Sequence, residues 1–256
     1  MIAVSATNKS LSQFKLSINN MKISNPNPSQ KATELEIIEQ SLPLTGARIL
    51  ELGCGRAWMT RQIAEKFSPE LIIATEVDQI QHEKNLLIDD LPKVSFIYGS
   101  AADIGQPDSS VDIVIMLKSL HHVPVQLMDQ ALEEIARVLK PGGLAYISEP
   151  VYEGELNEIL RLFNDEKVVR EAAFAAVARA VDTGVLNLEK QIFFDSPGHY
   201  RDFEHFEQRM LNVTHSDHQI DQALHETIKQ AFMQHMTADG AHFLKPSRVD
   251  ILRRPT

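Results

Sequence analysis

The sequence predicts an α/β domain built on a doubly wound, mostly parallel sheet, on three observations. Short, continuously apolar runs at residues 48–52, 71–75, 94–98, 112–117 and 144–148 alternate with amphipathic stretches, the pattern of parallel strands covered on both faces by helices. A glycine turn, Gly53-Cys-Gly55, stands where the first run hands over to the first amphipathic stretch. The chain has 256 residues, 43% of them hydrophobic, enough to close a core of that size.

The elements follow in order. Asn25-Pro-Asn-Pro28 breaks any preceding helix, and Glu34, Leu35, Ile37, Ile38 and Leu42 then fall at helical spacing. Residues 48–52 form the first strand, and a helix over 59–67 is closed by Ser68-Pro69. Strand 71–75, a polar helix over 79–88, strand 94–98 and strand 112–117 come next. A helix over 126–139 stops at Pro141-Gly142-Gly143 before strand 144–148. Residues 153–163 and 165–182 read as two consecutive helices with no strand between them, an insertion after strand five. Strand 206–213, a helix over 217–236 and strand 243–252 complete seven strands. The division expected is a flexible, basic amino-terminal arm over 1–28, then a single domain over 29–256 with 153–203 as a helical lid. Residues 1–33 hold Lys9, Lys15, Lys22 and Lys31 and no acid, which fits a solvated tail.

Composition narrows the partners. Lys and Arg number 25 against 35 Asp and Glu, a net charge of −10, which repels a phosphate backbone. Nucleic acid is therefore not an expected partner. The single cysteine, Cys54, cannot form an internal bridge, so the chain reads as cytoplasmic. Its start lacks a charged segment leading into an apolar run, and no stretch approaches the ~20 apolar residues of a membrane span. Neither secretion nor a membrane is expected.

The sharpest motif is Glu51-Leu-Gly53-Cys-Gly55-Arg-Ala57. Glycine at a strand-to-helix turn permits unusual backbone angles and lets the main chain lie against a ligand. Glu76 ends the second strand at the distance where a doubly wound fold brings an acid to the hydroxyls of a ribose. A pyrophosphate ligand would want a third glycine three residues after Gly55, and that position is Trp58. An adenosine without phosphate fits better, with Glu51 standing where an anion would otherwise sit.

Glu51-Leu-Gly-Cys-Gly55, Glu76 and Arg137-Val-Leu-Lys-Pro-Gly-Gly143, in that order, resemble the S-adenosylmethionine-dependent methyltransferases of the seven-stranded, Rossmann-like class, in particular the small-molecule group called methyltransferase type 11. The resemblance covers about residues 46–149. It implies S-adenosylmethionine as cofactor and S-adenosylhomocysteine as product, and a last strand antiparallel to its neighbours. Gly53, Cys54 and Gly55 would face the methionine part, Glu51 its amino group, and Glu76 with Val77 the ribose. Ala101, Ala102 and Asp103 would meet the adenine, with an N–H from Ala102 and Asp103 or Ser100 on the exocyclic amine. Here the chain departs from the family's usual Gly-Asp-Ala and reads Gly99-Ser-Ala-Ala-Asp103. Leu117 and Lys118 would complete the cofactor side.

Ligands of open sheets sit beyond the carboxyl ends of the strands, so Lys118-Ser-Leu-His121-His122 and Glu149-Pro-Val-Tyr152 should flank the transferring methyl group. His121, ahead of His199, is the candidate base for a hydroxyl acceptor. His122, Glu149, Tyr152, His199 and Tyr200 are candidate acceptor contacts. The apolar run Ala172-Ala-Phe-Ala-Ala-Val-Ala178 reads as core or as pocket wall. No metal site is expected, because adjacent histidines point apart on most backbones and no carboxylate or thiol is spaced to join them. A small-molecule acceptor and a possible homodimer are the partners implied. Two alternatives stand beside this reading: a methyltransferase acting on protein or RNA, and a binding protein for the cofactor that does not turn it over.

Overall fold

In the computed structural model, which describes residues 21–25, 30–211 and 220–256, nine strands form one sheet among the described residues. They are β1 (Gln30–Lys31), β2 (Arg48–Leu52), β3 (Leu71–Glu76), β4 (Val94–Tyr98), β5 (Val111–Leu117), β6 (Leu139–Pro150), β7 (Asn187–Tyr200), β8 (Met236–Thr237) and β9 (Gly240–Arg253). Their order is β1-β7-β9-β6-β5-β2-β3-β4, with β8 on β9. The five strands β4, β3, β2, β5 and β6 are parallel, β4 at the edge, and β9 runs antiparallel between β6 and β7. Two of the nine, β1 and β8, are two-residue additions to the expected seven.

Alternation along the central strands makes two apolar layers. From β5, Val114 and Met116 join Leu50, Leu52 and Ile147 on one face, under α4 (Met128–Val138) and α6 (Lys167–Asp182). Ile113 and Ile115 join Ile49, Ile72 and Tyr146 on the other, under α1 (Glu34–Ser41) and α2 (Trp58–Phe67). Thr33 starts α1 with a capping box closed by Glu36. The helix α3 (Gln79–Asn85) begins on Asp78, which accepts from the N–H groups of Ile80 and Gln81. The Ala-rich run belongs to α6, and Ala173, Ala176, Val177 and Ala180 are core residues. It is therefore a layer of the domain and not a lid.

Two expected elements are overturned. Residues 206–211 are not a strand: α7 (Phe203–Phe206), capped by Asp202, continues into a π-helical turn, Glu207–Leu211. The aromatic pair at i and i+3 puts Phe203 and Phe206 on one side, against Phe232. Residues 212 and 213 lie outside the described residues. The strand that flanks β9 is instead β7, so residues 187–200 belong to the sheet and not to a helical insertion. The carboxyl half of β7 and the first residues of β9 project past the end of β6, which pairs with β9 only over residues 247–253. This projecting ribbon carries a third apolar cluster, in which Tyr200 and Phe243 pack with α5 (Glu155–Leu160), α7 and α8 (Gln222–Met233).

The expected arm is described only over residues 21–25. That stretch is hydrogen-bonded to the sheet, with Lys22 and Ile23 exposed: Lys22 N–H donates to Gln191 Oε1 at 2.8 Å and Arg248 Nη1 donates to the Ile23 carbonyl at 3.3 Å. Among the described residues, no helix is long and apolar enough to cross a membrane.

The antiparallel strand contributes a buried ion pair to the sheet. Arg248 Nε donates to Asp250 Oδ2 at 2.9 Å, with the side chains 2% and 0% exposed, and Gln191 also donates to Asp250. Burial raises the Asp250 carboxyl above the ordinary range, against the pull of Arg248 and Gln191. Removing one partner leaves the other charge buried, so Arg248→Met should cost about 3–5 kcal/mol of stability. Combining it with Asp250→Leu should recover part of that loss, as measured by urea unfolding.

Candidate active site

The turn after β2 is set by its glycines. Gly53 has φ +75°, and a Cβ there would stand 2.9 Å from Ser119 Cβ in the loop after β5. Gly55 has φ +53°, and a Cβ there would meet nothing within 4 Å. One glycine is required by its neighbour, the other fronts open space. The Gly53 and Cys54 N–H groups donate to the Thr75 carbonyl of β3, which ties the turn to the strand that ends in Glu76. Cys54 is buried and takes the Asn85 amide on its sulfur, and burial pushes its thiol up. It is a structural thiol.

Three buried carboxylates end three strands. Glu76 accepts from the N–H groups of Gly55 at 2.7 Å, Val77 at 2.8 Å and Asp78 at 3.0 Å. A carboxylate offers about four acceptor positions, so Glu76 is a clamp on the glycine turn with room for a further hydroxyl. The Val77 side chain itself is exposed. Glu51 accepts from the Thr60 hydroxyl at 2.6 Å and is 2% exposed. Burial raises its carboxyl to about 7, with Glu76 adding to the rise and Thr60 opposing it. Such a group is suited to receive a cation. Glu149 accepts from the Leu120 N–H at 3.0 Å and from His121 Nδ1.

The expected adenine side differs in detail. Ala101 and Ala102 are buried, but the Ala102 N–H is taken by Ser100 Oγ at 3.2 Å and its carbonyl by Gln130. The Asp103 side chain is exposed. Leu117 ends β5, and Lys118 follows it in the left-handed region at φ +54°, a strained conformation for a residue with a side chain. The Lys118 ammonium lies 3.5 Å from Glu34 and lines a cavity of about 340 Å³ beyond β5 and β6. It therefore belongs to the cavity rather than to the glycine turn.

That cavity has His121 and His122 on its floor, Leu156 and Leu160 of α5 on one wall, and Tyr200 and Lys245 on the projecting ribbon opposite. His121 is buried, with Nε2 3.8 Å from Glu166 Oε2 at the start of α6. Burial raises the Glu166 carboxyl, but His121 and Arg170 outweigh it and hold it below the usual range. Two candidates fall away. Tyr152 donates to Asp165 at 2.8 Å and does not line the cavity. His199 is exposed on the far part of β7, bound to the Asp239 carbonyl and stacked on His242.

The neighbouring histidines do not point apart. Their rings lie 4.1 Å apart, and Glu166 joins them so that ligand atoms of all three fall within 4.8 Å of one another. The Glu166 oxygens already serve Arg170 and Asn164, and His121 Nδ1 serves Glu149, which leaves His121 Nε2 as the ring nitrogen of that residue nearest Glu166. Glu166, Arg170 and Lys245 escaped the sequence reading because only the topology brings α6 and β9 to this mouth. Thr60 could have been found, nine residues after Glu51 and in the first turn of α2.

Residues 49–143 match the family model described as a methyltransferase domain. An uncharacterized methyltransferase of Mycobacterium tuberculosis is 33% identical over 108 residues, 42% of each chain. The fatty-acid O-methyltransferase of Mycolicibacterium smegmatis is 26% identical over 161 residues, 62% of this chain and 58% of that one. The match thus spans less than two thirds of either relative's length. In fold, the YcgJ protein of Bacillus subtilis superposes with a TM-score of 0.58 at 16% identity, over 86% of this chain and 97% of its own.

Two outcomes follow from the turn. Gly53→Ala drives a Cβ into Ser119 and should lower thermal stability, whereas Gly55→Ala should cost only the left-handed strain of about 1–2 kcal/mol and show its effect in S-adenosylhomocysteine affinity, read by calorimetry. For Glu51, a folded pKa raised from 4.5 to about 7 means that the folded chain binds more protons, so stability falls as pH rises through that interval. Glu51→Gln should therefore gain stability over the parent above about pH 7 and show no gain below about pH 4.5, as measured by thermal unfolding.

Proposed function

We propose that this chain, a member of the S-adenosylmethionine-dependent methyltransferases, moves a methyl group from that cofactor to a small-molecule acceptor held in the adjoining cavity. The observation that carries the reading is the contiguity of two unlike sites. The open face of Gly55, flanked by Glu51 and Glu76, is tied to the loop that carries His121 by the Ser119 hydroxyl, which donates to the Leu52 carbonyl at 2.9 Å. Bound there, the cofactor supplies an electrophilic methyl group on a sulfonium, which leaves readily.

The chain's own residues then have three tasks. Glu51 takes the cofactor's ammonium, and in doing so gives up its proton near neutral pH. Glu76 keeps the glycine turn in place through three backbone N–H groups and offers its remaining acceptor position to a ribose hydroxyl. The cavity walls align the acceptor and exclude water, the main requirement of an in-line displacement. His121 has the arrangement of a general base. Its Nδ1–H is held by Glu149, which leaves Nε2 with a lone pair on the cavity side. A proton released by an acceptor hydroxyl ends on Nε2, and the imidazolium is stabilised by Glu149 and Glu166. One relative acts on a small molecule, as its name, fatty-acid O-methyltransferase, states, and the cavity volume suits an acceptor of that size.

Incubating the full chain with methyl-labelled S-adenosylmethionine and a small-molecule extract should give a labelled low-mass product and S-adenosylhomocysteine. Label on protein or RNA, or cofactor binding with no transfer, would overturn the acceptor class or the activity respectively. His121→Ala should lower kcat for a hydroxyl acceptor by about 10²–10⁴-fold, with S-adenosylhomocysteine affinity retained.

A further inference from the structure

The cavity carries a charge of opposite sign to the molecule. Lys118 from the end of β5, Lys245 from the projecting part of β9 and Arg209 from the π-helical turn all line it. These cations reach one another: burial pushes the Lys245 ammonium down to about 8, and Lys118 and Arg209 push it further, with Glu34 alone opposing. Glu34 is itself committed, accepting the Tyr146 hydroxyl on Oε1 at 2.8 Å and standing 3.5 Å from Lys118 with Oε2. Arg209 stacks over the Tyr200 ring. The fourth cation of the lining, Arg170, is neutralised by Glu166 at 2.6 Å, and Glu153 is exposed. Glu34 is thus the buried carboxylate that faces Lys118 and Lys245, and the Lys245 ammonium has no hydrogen bond or ion pair among the described residues.

Like charges brought together in a half-buried space cost free energy unless an anion joins them. Beside them the wall carries an apolar stretch of Leu156, Leu160, Phe163 and Met210. We propose that Lys118, Lys245 and Arg209 form a subsite for the anionic head, carboxylate or phosphate, of an amphiphilic acceptor whose apolar body lies along α5. The proposal rests on the methyl-transfer reading for the word acceptor, and on the cavity alone for the anion.

The test titrates decanoate, decyl phosphate, decan-1-ol and decyltrimethylammonium into the full chain, with and without saturating S-adenosylhomocysteine. Decanoate or decyl phosphate should bind at least about tenfold more tightly than decan-1-ol, and the better of the two identifies the head group. Decyltrimethylammonium should bind least. Lys245→Met, which keeps the stem that lies along Gly198, should lose that anion preference with decan-1-ol and S-adenosylhomocysteine affinity unchanged, and Arg209→Gln should lose part of it. Raising the pH through about 8 should weaken anion binding in the parent and not in Lys245→Arg. Equal affinity for the anionic and neutral probes, or a preference that survives Lys245→Met, overturns the subsite. A chain that prefers anions yet takes up no S-adenosylhomocysteine overturns the methyl-transfer reading and leaves the subsite standing.

Discussion

Everything at the mouth of this sheet depends on how three buried carboxylates find partners. A parallel strand that ends under cover must satisfy whatever polar side chain it delivers there. Glu76 and Glu149 are satisfied from within: the first by three backbone N–H groups of the flanking loops, the second by Leu120 N–H and His121. Each thereby fixes a loop, the glycine turn in one case and the His121 loop in the other. Glu51 has the Thr60 hydroxyl, a neutral donor that opposes the effect of burial without cancelling it, so its carboxyl stays raised. The same residue type at three strand ends therefore has two roles. Two carboxylates hold the chain, and one is left to a cation.

The parts of the fold legible in the sequence are those whose pattern admits one solution. The strands β2, β3 and β5 are apolar on both faces because both faces are covered, and a run such as Arg48–Leu52 bounded by turns has no helical alternative of that length. β7 was illegible for the opposite reason. It is half-exposed along most of its length and contains Pro197 and Gly198, residues that signal a turn anywhere but near a sheet edge. The stretch from Phe206 fails by ambiguity of period, since a few large apolar residues close together suit a strand or a helix until a partner such as Phe232 selects one.

The site divides along the same line. Glu51, Gly53, Gly55 and Glu76 lie on one strand-turn unit and on the strand beside it, so local pattern and spacing suffice to place them together. His121 and Glu149 come from neighbouring strand ends and were legible as members of the mouth, though not as a hydrogen-bonded pair. Glu166 and Lys245 come from a helix and a strand that only the topology brings there. Tyr152 and His199 were misplaced because chain proximity to the mouth says nothing of where a side chain is held. Tyr152 is drawn outward by Asp165, and His199 by the Asp239 carbonyl.

The antiparallel ribbon explains why the two halves of the mouth differ in character. Inserting β9 between β6 and β7 forces Arg248 and Asp250 into the sheet, where they pair with each other. It also lets residues 241–246 run past β6, and this overhang, braced by the aromatic cluster of Tyr200, Phe232 and Phe243, walls a cavity the parallel sheet alone could not enclose. A chain of net charge −10 repels anions at long range, yet that field is screened beyond about 8 Å at physiological salt. Lys118, Lys245 and Arg209 act well inside that distance, in surroundings half removed from water. Charge selection at this mouth is thus a property of these three cations and not of the protein's overall balance.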